Sequence, residues 1–62
     1  MTDANHAAAT LMESGRLGGF AQAIGTAYFR ADSRNQEALL LAFADLFRRA
    51  AMVADLQKTE AA

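Results

Sequence analysis

The sequence predicts an all-α fold: a small three-helix domain, built as a helical hairpin plus a short N-terminal helix, that completes its core as a dimer or on a partner. Three observations carry this. Alanine fills 16 of the 62 positions, proline is absent, and valine and isoleucine together number two. That composition favours helices and leaves little to build strands. Apolar residues recur at helical spacing in two long stretches. Finally, only 17 apolar side chains are larger than alanine. A chain this short buries only about 60 % of the surface its unfolded form exposes, and small domains without covalent staples commonly lean on oligomerisation or a partner.

Residues 1–62 read as one domain. The first helix is expected over about 3–14, with Thr2 or Asp3 accepting hydrogen bonds from the first free amides. Its apolar stripe, Ala4, Ala8, Leu11 and Met12, is weak, so this helix would fray alone. Ser14-Gly15 reads as its end, because glycine reaches the left-handed conformation cheaply. The second helix is expected over about 17–31. Leu17, Phe20, Ala21, Ile24, Tyr28 and Ala31 fall on one face. Gly18 and Gly25, seven apart, share a line and fit either close approach of another helix or a kink near Gly25. The third helix, about 33–57, is the dominant element. Asp32 or Ser33 caps it, and Ser33-Arg34-Asn35-Gln36 fits a capping box. Leu39, Leu40, Phe43, Leu46, Phe47, Ala50, Val53 and Ala54 give it a broad apolar face. The short junction at Ala31-Asp32 makes the second and third helices a hairpin or an angled corner, with Leu17, Phe20, Ile24 and Tyr28 packed on Leu39, Phe43, Leu46, Phe47 and Ala50. Residues 58–62 are expected to fray.

Composition excludes several function classes. With no cysteine there is no disulfide, no thiolate nucleophile and no cysteine zinc site. Six basic and seven acidic residues leave a net charge of −1, neither a basic coat for nucleic acid nor an acidic mimic of one. No apolar run reaches the ~18 residues of a membrane helix. The opening MTDANHAAATLMESG carries no lysine or arginine, so it does not read as a signal peptide, and a cytosolic protein is the expectation.

Chemistry is sparsely marked. His6 is the sole histidine, and a metal site needs several converging ligands. The carboxylates Asp3, Glu13, Asp32, Glu37, Asp45, Asp55 and Glu60 could do acid–base work only inside a partly dry pocket that so few large side chains cannot wall. Gly15-Arg16-Leu17-Gly18-Gly19 lacks the lysine–hydroxyl pair of a phosphate loop and follows no strand, so a turn is the simpler reading. The reading is therefore no enzyme, no cofactor, no metal and no small-molecule substrate. Phe20-Ala21-Gln22-Ala23-Ile24-Gly25 looks like the start of a helix-turn-helix, which keeps a small DNA-binding or transcription-modulating protein as the alternative. Tyr28 and Phe29 stand where a reading helix should be polar.

The segment from Ala31 to Phe47, with the pattern A-D-x-x-N-x-x-x-L-x-x-A-F-x-x-L-F, resembles small uncharacterised accessory proteins of bacteriophages and prophages, and Gly15-Arg16-Leu17-Gly18-Gly19-Phe20 is similar to their upstream stretch. Ala44 departs from the pattern where proline is common in such segments, which suggests a continuous helix here. The resemblance implies a phage or mobile-element accessory protein that acts in the bacterial cytoplasm by binding a protein, in its sharpest form an anti-CRISPR-like inhibitor of a host or defence factor.

A second apolar face supports binding from the residues themselves. On the third helix Leu41, Met52 and Leu56 point away from the main stripe, among Glu37, Asp45, Arg48 and Arg49. Asp45, three and four residues before Arg48 and Arg49, is set for helix-surface pairing. Apolar residues ringed by charges have the make-up of an interface centre with a polar rim. Leu41, Asp45, Arg48, Arg49, Met52 and Leu56 are thus the candidate surface for a protein partner or a homodimer.

Overall fold

A computed structural model describes residues 2–61, with side chains described over 4–57. The described residues are helical apart from short turns. Four helices follow in order: α1 (Thr2–Glu13), α2 (Gly19–Arg30), α3 (Ser33–Ala42) and α4 (Ala44–Ala61). The all-α class stands, but three expected helices are four.

The additional boundary is a break at Phe43, whose φ of −121° and ψ of 39° leave the helical region. Hydrogen bonds still run through it, from the Phe43 amide to the Leu39 carbonyl at 2.9 Å and from the Phe47 amide to the Phe43 carbonyl at 3.0 Å. No proline causes the bend, so the expectation of one continuous helix at Ala44 fails for a tertiary reason. The two halves pack on different neighbours, α3 lightly on α2 and α4 along α1. At the far end α4 runs to Ala61, past the expected end at 57. Lysine, glutamate and alanine in that last turn are good helix formers. The expected cap at Thr2 or Asp3, and residue 62, lie outside the described side chains and residues.

The hairpin is α1–α2; α2 and α3, expected to form a hairpin or an angled corner, touch only lightly. Ala9 and Glu13 lie against Gly25, the Thr26 hydroxyl donates to the Glu13 carboxylate at 3.3 Å, and the His6 ring meets Phe29 edge-on at 5.1 Å. Rising residue numbers on α1 meet falling numbers on α2, so the two helices are antiparallel. The turn between them uses glycine twice at positive φ, 89° at Gly15 and 101° at Gly18. Gly15 closes α1, its amide bonding the Met12 carbonyl. Gly18 has open space beside it, so its role is conformational and the expected close helix contact there is absent.

Gly25 does make that contact. A Cβ built there would stand 2.6 Å from the Glu13 amide nitrogen and 2.7 Å from the Ala9 carbonyl oxygen. Both are backbone atoms and cannot swing aside, so the helices meet where only glycine fits. This contact sets the rotation of α2. Ala21, Gly25 and Tyr28 form the buried line. Phe20, about 100° away around the helix, is 64 % exposed and leaves the core assigned to it.

Among the described residues the core consists of Ala8, Ala9, Leu11, Met12, Ala21, Tyr28, Phe47 and Ala50. Half of it comes from α1, the helix expected to be marginal. Four of these eight are alanines, which let α1 sit close between α2 and α4. Tyr28 and Phe47, with ring centroids 5.5 Å apart, join the ends of α2 and α4. Leu17, Ile24, Leu39, Phe43 and Leu46, expected in the centre, pack around its margin and stay half-buried.

At the α2–α3 corner Asp32 is the N-cap. Its carboxylate accepts from the Asn35 amide at 2.8 Å. The expected Ser33–Gln36 box is not formed. Gln36 instead donates through Nε2 to the Tyr28 carbonyl at 3.0 Å, satisfying an end group of α2.

Candidate functional site

Helical geometry groups five of the six candidate residues. Taking Asp45 as the origin and about 100° per residue, Arg48, Arg49, Met52 and Leu56 lie within about 60° of one line along α4. The buried residues among the described part of that helix, Phe47 and Ala50, lie on the opposite side, where α4 packs along α1 and the Phe47 ring meets Tyr28 of α2. The α4 face therefore points outward as a consequence of its packing. Met52 is 62 % and Leu56 63 % exposed. Asp45 pairs with Arg48 one turn on, both side chains in solvent, and such a pair contributes little to stability.

Leu41, the sixth residue, sits apart. The break at Phe43 puts it on α3, so the three apolar residues expected along one helix divide between two. Leu41 is 77 % exposed. Three consecutive leucines span about 200° of a helix, and α3 touches the domain along one narrow side. Leu39 and Leu40 are half-buried, and α3 has no buried residue.

Phe20 belongs to the exposed surface and was missed because it shares a stripe with Ala21 and Ile24. The signal that finds it is Gly25, which moves the contact line of α2 toward itself. The Phe20 ring lies edge-on to Phe43, with centroids 5.6 Å apart. The two aromatics form a ledge at the α3–α4 break.

Convergent polar chemistry is absent from the described surfaces. An open groove between α1 and α4 is lined by Ala7, Thr10, Leu11, Ser14, Arg16, Ala54 and Gln57. Its hydroxyls serve their own helix, Thr10 donating to the His6 carbonyl at 2.8 Å and Ser14 to that of Leu11. Among the described residues no three of the histidine and carboxylate side chains are grouped to hold a metal ion. Gly25 lies inside an unbroken α2 rather than in a turn, so the segment from Phe20 to Gly25 is no helix-turn-helix corner. None of the described helices is long and apolar enough to cross a membrane. No protein-family model, curated protein or solved structure matches the chain.

Proposed function

We propose that this chain is a non-enzymatic protein-binding domain that works through apolar side chains its own fold leaves uncovered. One comparison carries the reading. Among the described residues Leu11, Met12, Tyr28 and Phe47 are buried, while Phe20, Leu41, Met52 and Leu56 are more than 60 % exposed and Phe29 is exposed to a lesser degree. Single exposed leucines are ordinary on a protein surface. Met52 and Leu56 stand one turn apart on the outward side of α4, and apolar side chains grouped in that way, unlike scattered ones, mark a surface that a partner covers. The resemblance of residues 31–47 to phage accessory proteins adds the setting. The partner is then a bacterial host or defence protein in the cytoplasm, and the effect of binding is inhibition.

Affinity capture from a bacterial lysate tests the function. The wild-type chain should retain a specific protein, and Met52→Lys with Leu56→Glu should lose it at unchanged helix content. Retention on duplex DNA with a steep loss on added salt, and no protein captured, would replace this reading with the nucleic-acid alternative.

A further inference from the structure

We infer that the break at Phe43 is a hinge through which two copies of this chain exchange their α4 helices, each docking α4 on the α1–α2 hairpin of the other. The exchange uses the inner side of α4, and Met52 and Leu56 point away from it in either form.

Two observations carry this. The first is that the break has no local cause. The other junctions are written into the sequence: Gly15 and Gly18 turn α1 into α2 at positive φ, and the Asp32 carboxylate caps α3. Between α3 and α4 stand Leu40-Leu41-Ala42-Phe43-Ala44, with no glycine, no proline and no capping side chain. Leucine and alanine are among the strongest helix formers. Phe43 leaves the helical region, at φ −121° and ψ 39°, and helix resumes directly on either side of it. Ending one helix and starting another here leaves backbone groups outside the hydrogen-bond ladder. Returning Phe43 to helical angles would join α3 and α4 into one helix from Ser33 to Ala61 and recover those bonds.

The second observation is that a single chain cannot straighten and keep its core. α3 runs antiparallel to α2, with the Gln36 side chain on the Tyr28 carbonyl and the Phe43 ring against Phe20 at the other end. Phe20 and Tyr28 lie about 12 Å apart along α2. A straight helix carries Phe47 about 6 Å beyond Phe43, away from Tyr28. The Tyr28–Phe47 contact, 5.5 Å between ring centroids, would open to about 18 Å, and α4 would leave α1. The seat it vacates, formed by Ala8, Ala9 and Met12 of α1 with Tyr28 of α2, is apolar, and so are the freed Phe47 and Ala50. These surfaces match each other and nothing else in the chain, so the α4 of a second straightened copy is the occupant. Reciprocal exchange restores the core contacts in both copies. A hinge this short is the kind of connection that invites it.

Warming the full chain at high micromolar concentration, cooling it and separating the products by size-exclusion chromatography tests the exchange. A dimer that returns to monomer only slowly on dilution is expected, because α4 must leave its seat each time. When isotope-labelled and unlabelled chains are mixed before warming, isotope-filtered nuclear Overhauser spectra of the dimer should show Tyr28–Phe47 contacts between chains. Ala44→Pro should abolish that dimer, since proline suits the first turn of α4 but not the interior of a straight helix. Ala44→Gly, at an exposed position, should raise the dissociation constant about tenfold through the lower helix propensity of glycine. Met52→Lys should leave the dimer unchanged, which separates exchange from association through the outward face. A chain that yields only monomer after this treatment overturns the inference. So does a dimer whose Tyr28–Phe47 contacts all lie within one chain, or one that Ala44→Pro and Ala44→Gly leave intact. Capture of a partner through Met52 and Leu56 stands or falls separately, because it needs only the outward face.

Discussion

The α1–α2 contact and α3 are opposite solutions with the same alphabet. At the first, Ala8, Ala9, Ala21 and Gly25 carry almost no apolar bulk, yet all are buried. In α3, Leu39, Leu40 and Leu41 carry the densest apolar run of the chain, and none is buried. Burial here follows how closely backbones approach, not how hydrophobic a segment is. Small side chains let two helices meet along their lengths, and dispersion sums over many short contacts. Three adjacent leucines point in three directions, and one neighbouring helix can cover only part of that arc.

The largest effect should come from the tight side. Phe47→Ala removes a ring 4 % exposed and tilted against Tyr28, and should cost about 3–5 kcal/mol in thermal or denaturant unfolding. A loss below about 1 kcal/mol would mean that α4 is not seated as described. Gly25→Ala sharpens the comparison further. Alanine is the better helix former by about 1 kcal/mol, yet its Cβ would meet the α1 backbone, so destabilisation of about 1–3 kcal/mol is expected. A stabilised variant would show that the helices have room to part.

At the boundary between the two regions, Phe43→Ala should lose about 1–2 kcal/mol, less than Phe47→Ala, because its ring is half-buried against Phe20. Equal losses would place Phe43 in the core. At the corner, Asp32→Ala should cost about 0.5–2 kcal/mol by freeing the Asn35 amide, and Ser33→Ala much less, since Asp32 is the cap. The reverse ranking would move the cap by one residue. The smallest change belongs to the loose side: Leu41→Gln should shift stability by about 0.5 kcal/mol at most. A larger drop in dilute solution would mean that something covers α3 there.

Much of the fold was legible in the chain. Alanine content, absent proline and helical periodicity dictate an all-α domain, and Ser14-Gly15 and Asp32 mark the ends of helices because their backbone and capping chemistry is local. The outward face of α4 was legible for the same reason: residues 45, 49, 52 and 56 share a side of any helix that contains them. Three features lay beyond local chemistry. They are the break at Phe43, the rotation that exposes Phe20, and the promotion of an alanine-rich α1 to the centre. Each depends on which helix approaches which, and how closely. Periodicity reports which side of a helix is apolar. It does not report the distance between axes, and here one glycine, pressed against the backbone of α1, decides that distance and with it which apolar side chains are left in water.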